Sequence, residues 1–451
     1  MLGRARVGGT ALVAPSFNLE TILPGISKII YWMQRPPWWT TTLIVGSITL
    51  LIIVFVGLPD DVTQKNDAFL SSPLRKYNPA SFPVAVVAHI RPALLKRCIE
   101  SLLDVQGVDK SMITVFQDGH MEEVALVAKS FGLRVVQHRQ GNYPPGTPGH
   151  VYISDHYGFL LREVFNLFPR ADYAVIVEDD MVFSYDFLDY FAQLAPLLDI
   201  DPSIWSVSSF NDNGFLGMAS SLTNVMRCDF FVGLGWLAPR RIFVDELLPI
   251  WPEREWDIWI QEEYIRKGRE TIFPEVSRNY NLGVVGVHSN VALFEKYFKD
   301  IAFYQEKELV QLDTSRALHY EKVIWDEIGK SQVWTELPDV IAQDTPQLVS
   351  IIFRSSGPED FDRWKHVADC FNLWNYKPIR DLYKGILVAK FGKVQFFLIA
   401  SWSPFVKAIS FRQMPLPLLS GGAMDSEAFD TQHCPARSSG DPKLRFTIPN
   451  L

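Results

Sequence analysis

The sequence predicts an α/β protein with a mostly parallel central sheet, on three observations. Between residues 82 and 177, short β-branched apolar runs alternate with amphipathic helical stretches, and repeated strand–helix units build parallel sheets. The run over 173–177 (YAVIV) is unbroken, as a strand buried on both faces requires. Three carboxylates, Glu178, Asp179 and Asp180, follow it directly, at the strand end where ligands sit in open α/β sheets.

Taken in order, residues 82–88 read as the first strand and 94–103 as an amphipathic helix. Strand 112–116, helix 121–131, strand 133–136 and helix 151–168 then lead to the strand 173–177. Right-handed crossovers put the loop after each strand on one edge, so Arg91, Asp118 and the acidic triplet are expected to converge there. Beyond Asp180 the pattern loosens. Residues 205–210 (WSVSSF) read as a strand leading into Asn211-Asp212-Asn213-Gly214, and 230–236 (FFVGLGW) carries small residues where backbone can approach a ligand closely. Two strand-like runs flank Gly392 over 383–398. From about 418 the chain is Ser-, Gly- and Pro-rich, which predicts disorder.

At 451 residues the chain has room for one large domain or two to three ordinary ones, and its net charge of −8 without a basic stripe argues against a nucleic-acid partner. Residues 40–58 are uncharged and about as long as a ~30 Å hydrocarbon core requires. Trp38 and Trp39 stand at the start of this run, Arg4, Arg6, Lys28 and Arg35 precede it, and Asp60, Asp61 and Asp67 follow. That asymmetry predicts a single-pass anchor with a cytosolic segment over 1–39 and the body across the membrane. A stem over 59–80, a folded domain over 81–404 and an extension over 405–451 complete the expected organisation. The four cysteines, Cys98, Cys228, Cys370 and Cys434, have neither metal-ligand spacing nor the pattern of a disulfide scaffold.

The acids carry the chemistry. Adjacent carboxylates repel unless a cation is shared, and a divalent metal holding a diphosphate would serve. Asp180 is the candidate metal ligand, with Glu178 and Asp179 toward sugar hydroxyls. Arg91 suits a diphosphate, because guanidinium binds phosphate in a bidentate fork, although a surface arginine at a strand end reads the same. Asp118 and His156 suit polar contacts to a nucleobase. Asp257, between Trp256 and Trp259, reads either as a partly desolvated general base or as the N-cap of a helix over 258–267; both can hold.

Five ordered motifs beyond the acidic triplet add to this reading. Val177-Glu178-Asp179-Asp180, then Asp201-Pro202-Ser203-Ile204-Trp205, Asn211-Asp212-Asn213-Gly214, Asp229-Phe230-Phe231-Val232-Gly233-Leu234-Gly235-Trp236, Trp256-Asp257-Ile258-Trp259 and Pro274-Glu275-Val276-Ser277-Arg278 resemble the N-acetylglucosaminyltransferase I family in order and spacing over about 82–398. The resemblance implies a GT-A fold, UDP-N-acetylglucosamine as donor, Mn2+ as metal, inversion at the anomeric carbon, and a terminal α-mannose of a glycoprotein N-glycan as acceptor. It implies a type II Golgi membrane protein with a luminal catalytic domain. Carried over by position, Asp180 looks like the metal ligand and Asp257 the base, while Arg91, Asp118, His156, Glu178, Asp179, Leu234 and His288 look like donor contacts. His288 departs from the pattern, since Gly286-Val287-His288-Ser289 stands where the family has Gly-Val-Ser-His. His89, Ser206 and Ile272 replace cysteines that the family pairs, which predicts a domain indifferent to reductant. O-linked mannose is an alternative acceptor, and a silent, membrane-anchored glycan-binding protein an alternative class.

Overall fold

The computed structural model describes residues 75–286, 290–334, 337, 344–409, 434–435 and 437–447. The expected anchor and His288 lie outside the described residues, and among those described no helix is long and apolar enough to cross a membrane.

The predicted strand–helix alternation forms the first half of the fold. Strands β1 (Val84–Ala88), β2 (Ile113–Asp118), β3 (Arg134–His138) and β4 (Tyr173–Glu178) are joined by helices α1 (Pro92–Leu103), α2 (Glu122–Ser130) and α3 (Gly149–Leu167). They pair in parallel in the order β3-β2-β1-β4. Pro92 opens α1, where its missing N–H costs nothing.

The register brings the strand ends level. Val87 lies opposite Glu178, Ala88 opposite Gln117, and Asp118 opposite His138. His89, Asp118, His138 and Glu178 therefore share one edge. One face of the sheet buries Val84, Val86, Val115 and Val175 against Leu95, Ile99 and Leu102 of α1 and Val124 of α2. The other buries Ala85, Phe116 and Ile176 against Leu160, Leu161 and Val164 of α3. Fully burying such a side chain stabilises by roughly 1.5–3 kcal/mol, so burial on both faces fixes these strands.

The second half departs from a simple parallel winding. After the short β5 (Met181–Phe183) and helix α4 (Phe187–Ile200) come β6 (Ile204–Ser208), β7 (Val225–Cys228), β8 (Trp236–Pro239) and β9 (Glu270–Pro274). β8 inserts antiparallel between β4 and β6, and β7 closes the edge antiparallel to β9. The eight-stranded sheet is thus mixed, with most strands parallel, in the order β3-β2-β1-β4-β8-β6-β9-β7. A ribbon of β5 and β10 (Asn279–Asn281) stands beside it.

A smaller four-stranded sheet follows, from β11 (Gln332–Val333), β12 (Gln347–Phe353), β13 (Ile386–Phe391) and β14 (Val394–Ala400). β13 and β14 form the hairpin at Gly392, whose φ of 60° suits glycine.

Two expectations are corrected here. Residues 434–435 and 437–447 are ordered against the body, although 418 onward reads as disordered. Leu444 is buried, Phe446 packs on Tyr280, and Arg445 pairs with Asp300 at 3.1 Å. Tertiary burial overrides the polar composition. Cys370 and Cys434 form a disulfide that no spacing in the sequence indicated, while Cys98 and Cys228 are free and buried.

Candidate active site

The site is assembled at the level strand ends. Glu178 is the last residue of β4; Asp179 and Asp180 form the turn into β5. Asp179 and Asp180 are 1% and 4% exposed. Arg91, the residue before α1, ion-pairs with Asp179 and sets Nη1 2.6 Å from Asp180 Oδ2. Leu282 donates its backbone N–H to the Asp180 carbonyl at 2.7 Å, and a Cβ on Gly283 would collide with Asp180 Oδ2. The ribbon thus holds Asp180 from its far side.

Charge is incompletely balanced. One guanidinium faces three carboxylates, and Asp179 Oδ2 and Asp180 Oδ1 are sealed from solvent without a hydrogen-bond donor. Burial, then the charge of Asp180, pushes the Glu178 carboxyl up to about 7, though Tyr157 donates its hydroxyl to Oε1 at 2.7 Å. Burial pushes Asp179 up to about 6 against the pull of Arg91, and raises Asp180 as well. Buried carboxylates with orphaned oxygens are a hard-cation donor set.

Asp257 reaches this centre through aromatic packing. Tyr157, which holds Glu178, packs at a tilt against Trp256 with ring centroids 4.4 Å apart, and Trp256 stacks on Trp251. Asp257 follows on the short helix α5 (Trp256–Trp259), half-buried, and its charge helps to raise the Tyr157 hydroxyl, after burial and Glu178. The cap reading of Asp257 is corrected: Glu255, at φ 51°, is the N-cap residue, and the helix expected over 258–267 is two four-residue turns, Trp256–Trp259 and Glu263–Arg266. Leu234 is half-buried in the turn before β8. Beside it Gly235 has φ 66°, and a Cβ there would meet Ser209 Oγ at 2.5 Å.

Asp118 and His156 come together as expected, on β2 and α3, with a third residue that the sequence reading missed. His138, at the end of β3, lies 3.5 Å from Asp118 Oδ1 through Nδ1, and the same nitrogen is 3.3 Å from His156 Nδ1. His156 Nε2 lies 3.1 Å from the Phe116 carbonyl, and Gln140 donates to Asp118 Oδ2 at 3.0 Å. Burial drives the His156 imidazole down to about 4, so it is neutral. Burial alone would raise Asp118, but the neighbouring His138 and the hydrogen bond from Gln140 bring it below the ordinary range. The signal for His138 was present: it is a polar residue at a strand end, two positions beyond where the apolar run suggested that the strand stops.

Buried carboxylates and imidazoles at the ends of parallel strands define a strand-end binding site of the open α/β class. Residues 61–411 match the GNT-I family, and the chain belongs to it. The alpha-1,3-mannosyl-glycoprotein 2-beta-N-acetylglucosaminyltransferase of Arabidopsis thaliana is 30% identical over 321 residues, covering 68% of this chain and 70% of that protein. Among solved structures, the mannosyltransferase PcManGT from Pyrobaculum calidifontis, in complex with GDP-Man and Mn2+, is 13% identical with a TM-score of 0.24, covering 44% of this chain and 56% of that one. Glucosyl-3-phosphoglycerate synthase from Mycobacterium tuberculosis, with Mn2+, UDP-Glc and phosphoglyceric acid, is 18% identical with a TM-score of 0.27, covering 44% and 71%.

Proposed function

We propose that this protein is an inverting transferase of GT-A type that moves N-acetylglucosamine from UDP-N-acetylglucosamine in β1,2 linkage to a terminal α-mannose of a glycoprotein N-glycan. The observation that carries the proposal is the placement of Asp257 beside the acidic strand end, joined to Glu178 by Tyr157 and Trp256. In a single displacement the mannose O2 bonds to the anomeric carbon as the bond to UDP breaks. Asp257 takes the proton of O2. In this reading Arg91 contacts the diphosphate, Asp118 and His156 the uracil, Glu178 and Asp179 the sugar hydroxyls, and Leu234 and His288, as the family resemblance implies, complete the donor contacts.

The residues fit a divalent cation, because Asp180 Oδ1 and Asp179 Oδ2 are buried acceptors with no donor. Asp180 would hold Mn2+, which when bound neutralises charge on the departing diphosphate. The basic-to-acidic switch across residues 40–58 supports a type II Golgi protein whose body is luminal.

The test is Asp257→Asn, assayed with UDP-N-acetylglucosamine, Mn2+ and a mannose-terminated N-glycan. Donor binding should persist while turnover falls ~10²–10⁴-fold. Near-normal turnover, or a product retaining the donor's α configuration, overturns the proposal.

A further inference from the structure

Three atoms at the ends of β2, β3 and α3 converge on one point outside the acidic centre. Asp118, His138 and His156 each offer a ligand atom, all within 4.8 Å of one another, on residues 7%, 8% and 2% exposed, with His138 Nδ1 3.5 Å from Asp118 Oδ1 and 3.3 Å from His156 Nδ1. Asp118 Oδ1 is buried with no hydrogen-bond donor. The outer edges of the two rings are also engaged. His156 Nε2 lies 3.1 Å from the Phe116 carbonyl, which makes it the protonated nitrogen and leaves a lone pair on Nδ1. His138 Nε2 faces Asp155 Oδ2 at 3.7 Å, and its ring is clamped on Phe159 with centroids 4.3 Å apart. A hydrogen-bonded carbonyl behind His156 and a carboxylate at ion-pair distance behind His138 are partners of the kind that orient metal-ligating histidines.

The spacing is specific. Metal–nitrogen and metal–oxygen bonds of ~2.0–2.2 Å at tetrahedral angles set neighbouring ligand atoms about 3.3–3.5 Å apart. The two resolved edges are 3.3 Å between the imidazole nitrogens and 3.5 Å between His138 and Asp118. Mixed nitrogen and oxygen donors in that geometry suit Zn2+ better than Mn2+ or Mg2+, which prefer oxygen.

We infer that Asp118, His138 and His156 form a second metal site, for Zn2+, with its fourth position open, and that Zn2+ there excludes the nucleotide donor. The exclusion rests on the assignment of Asp118 and His156 to uracil; the metal site does not. The protein would thus be inhibited by Zn2+ in competition with its donor, with Mn2+ acting at the separate acidic centre.

Co2+, titrated into the purified protein, is the probe. One equivalent should bind with the intense visible absorption of a tetrahedral site and be displaced by Zn2+. His138→Leu should abolish the band. Asp155→Asn, which leaves all three ligands and a partly exposed position, should weaken binding ~10–100-fold. Absence of a band, or a band unchanged in both variants, overturns the inference. UDP should bleach the band. If UDP binds elsewhere and the band survives, the exclusion and the uracil assignment fall together while the metal site stands.

Discussion

Arg278→Met tests how the fold holds its acidic centre. The Arg278 side chain is 0% exposed and its Nε pairs at 2.9 Å with Asp186, which is 1% exposed. It also donates to the carbonyls of Val276 at 2.6 Å and Leu222 at 2.5 Å, and lies over the rings of Tyr190 and Tyr304. Methionine restores bulk but leaves the Asp186 carboxylate buried without its guanidinium partner, the Ser184 hydroxyl at 2.6 Å still bonding it. Removing one partner of a buried pair costs ~3–5 kcal/mol, and two carbonyls lose donors besides. The damage is local to the ribbon, since Ser184 donates to the Arg278 carbonyl at 2.9 Å and β5 begins directly after Asp180. Urea unfolding followed by tryptophan fluorescence would measure the loss, and UDP-N-acetylglucosamine binding its reach into the site. Adding Asp186→Asn, which removes the stranded charge, should recover part of the stability. A loss under about 1 kcal/mol, or a double variant no better than Arg278→Met, would refute the argument.

Other outcomes follow from the same structure. Asp180→Asn should fold normally yet lose Mn2+-dependent donor binding, measured by calorimetry; retained binding would remove Asp180 from the metal role. Cys370→Ser should lower stability by ~2–4 kcal/mol, as should reductant, because the bridge closes a separation of 64 residues; an unchanged melting temperature would contradict this. Burial, then the charge of Asp212, pushes Asp381 up to about 8. The native state therefore keeps a proton that the unfolded chain releases near pH 4, and stability is lost as pH rises from about 4 to 8. Asp381→Asn cannot ionise and should flatten that slope, so parallel melting curves for parent and variant at pH 5, 7 and 9 would disprove it.

How much was legible in the sequence follows from what holds each element. β1, β2 and β4 are buried on both faces, so each carries an apolar run that could be read, whereas the edge strand β3, with Arg134 and Gln137 exposed, was readable only through Val135 and Val136. β7 and β9 carry Arg227 and Glu270, a buried pair at 3.1 Å that makes each strand look polar until both are seen together. β8 gives no local sign that it runs antiparallel between β4 and β6, because orientation is decided by the long connections before it. The acidic triplet, Arg91, Asp118 and His156 were legible because each stands at or near a strand end or on a helix beside one. His138 was missed because β3 was ended at Val136. Cys370 and Cys434 could not be paired by spacing, since only the folded path of the last segment brings them to a Cα separation of 5.0 Å.

That last segment bears on how the molecule is made. Cys434 is bonded to Cys370, Arg437 lies over the Phe215 ring at 3.8 Å, Phe303 donates to the Leu444 carbonyl at 2.9 Å, and Phe446 covers Tyr280 and Phe303. Gly217 of the body and Gly440 of this strap mark so close an approach that a Cβ on either would strike backbone across the contact. Chains emerge N-terminus first at roughly 5–20 residues per second, so the catalytic sheet is synthesised well before its own fastening. A nascent chain stalled short of residue 434 would carry the whole acidic centre, yet leave the aromatic surface around Tyr280 and Phe303 bare. Synthesis through residues 434–447 is therefore itself a folding step, and products terminated before it are exposed to chaperones through that aromatic surface.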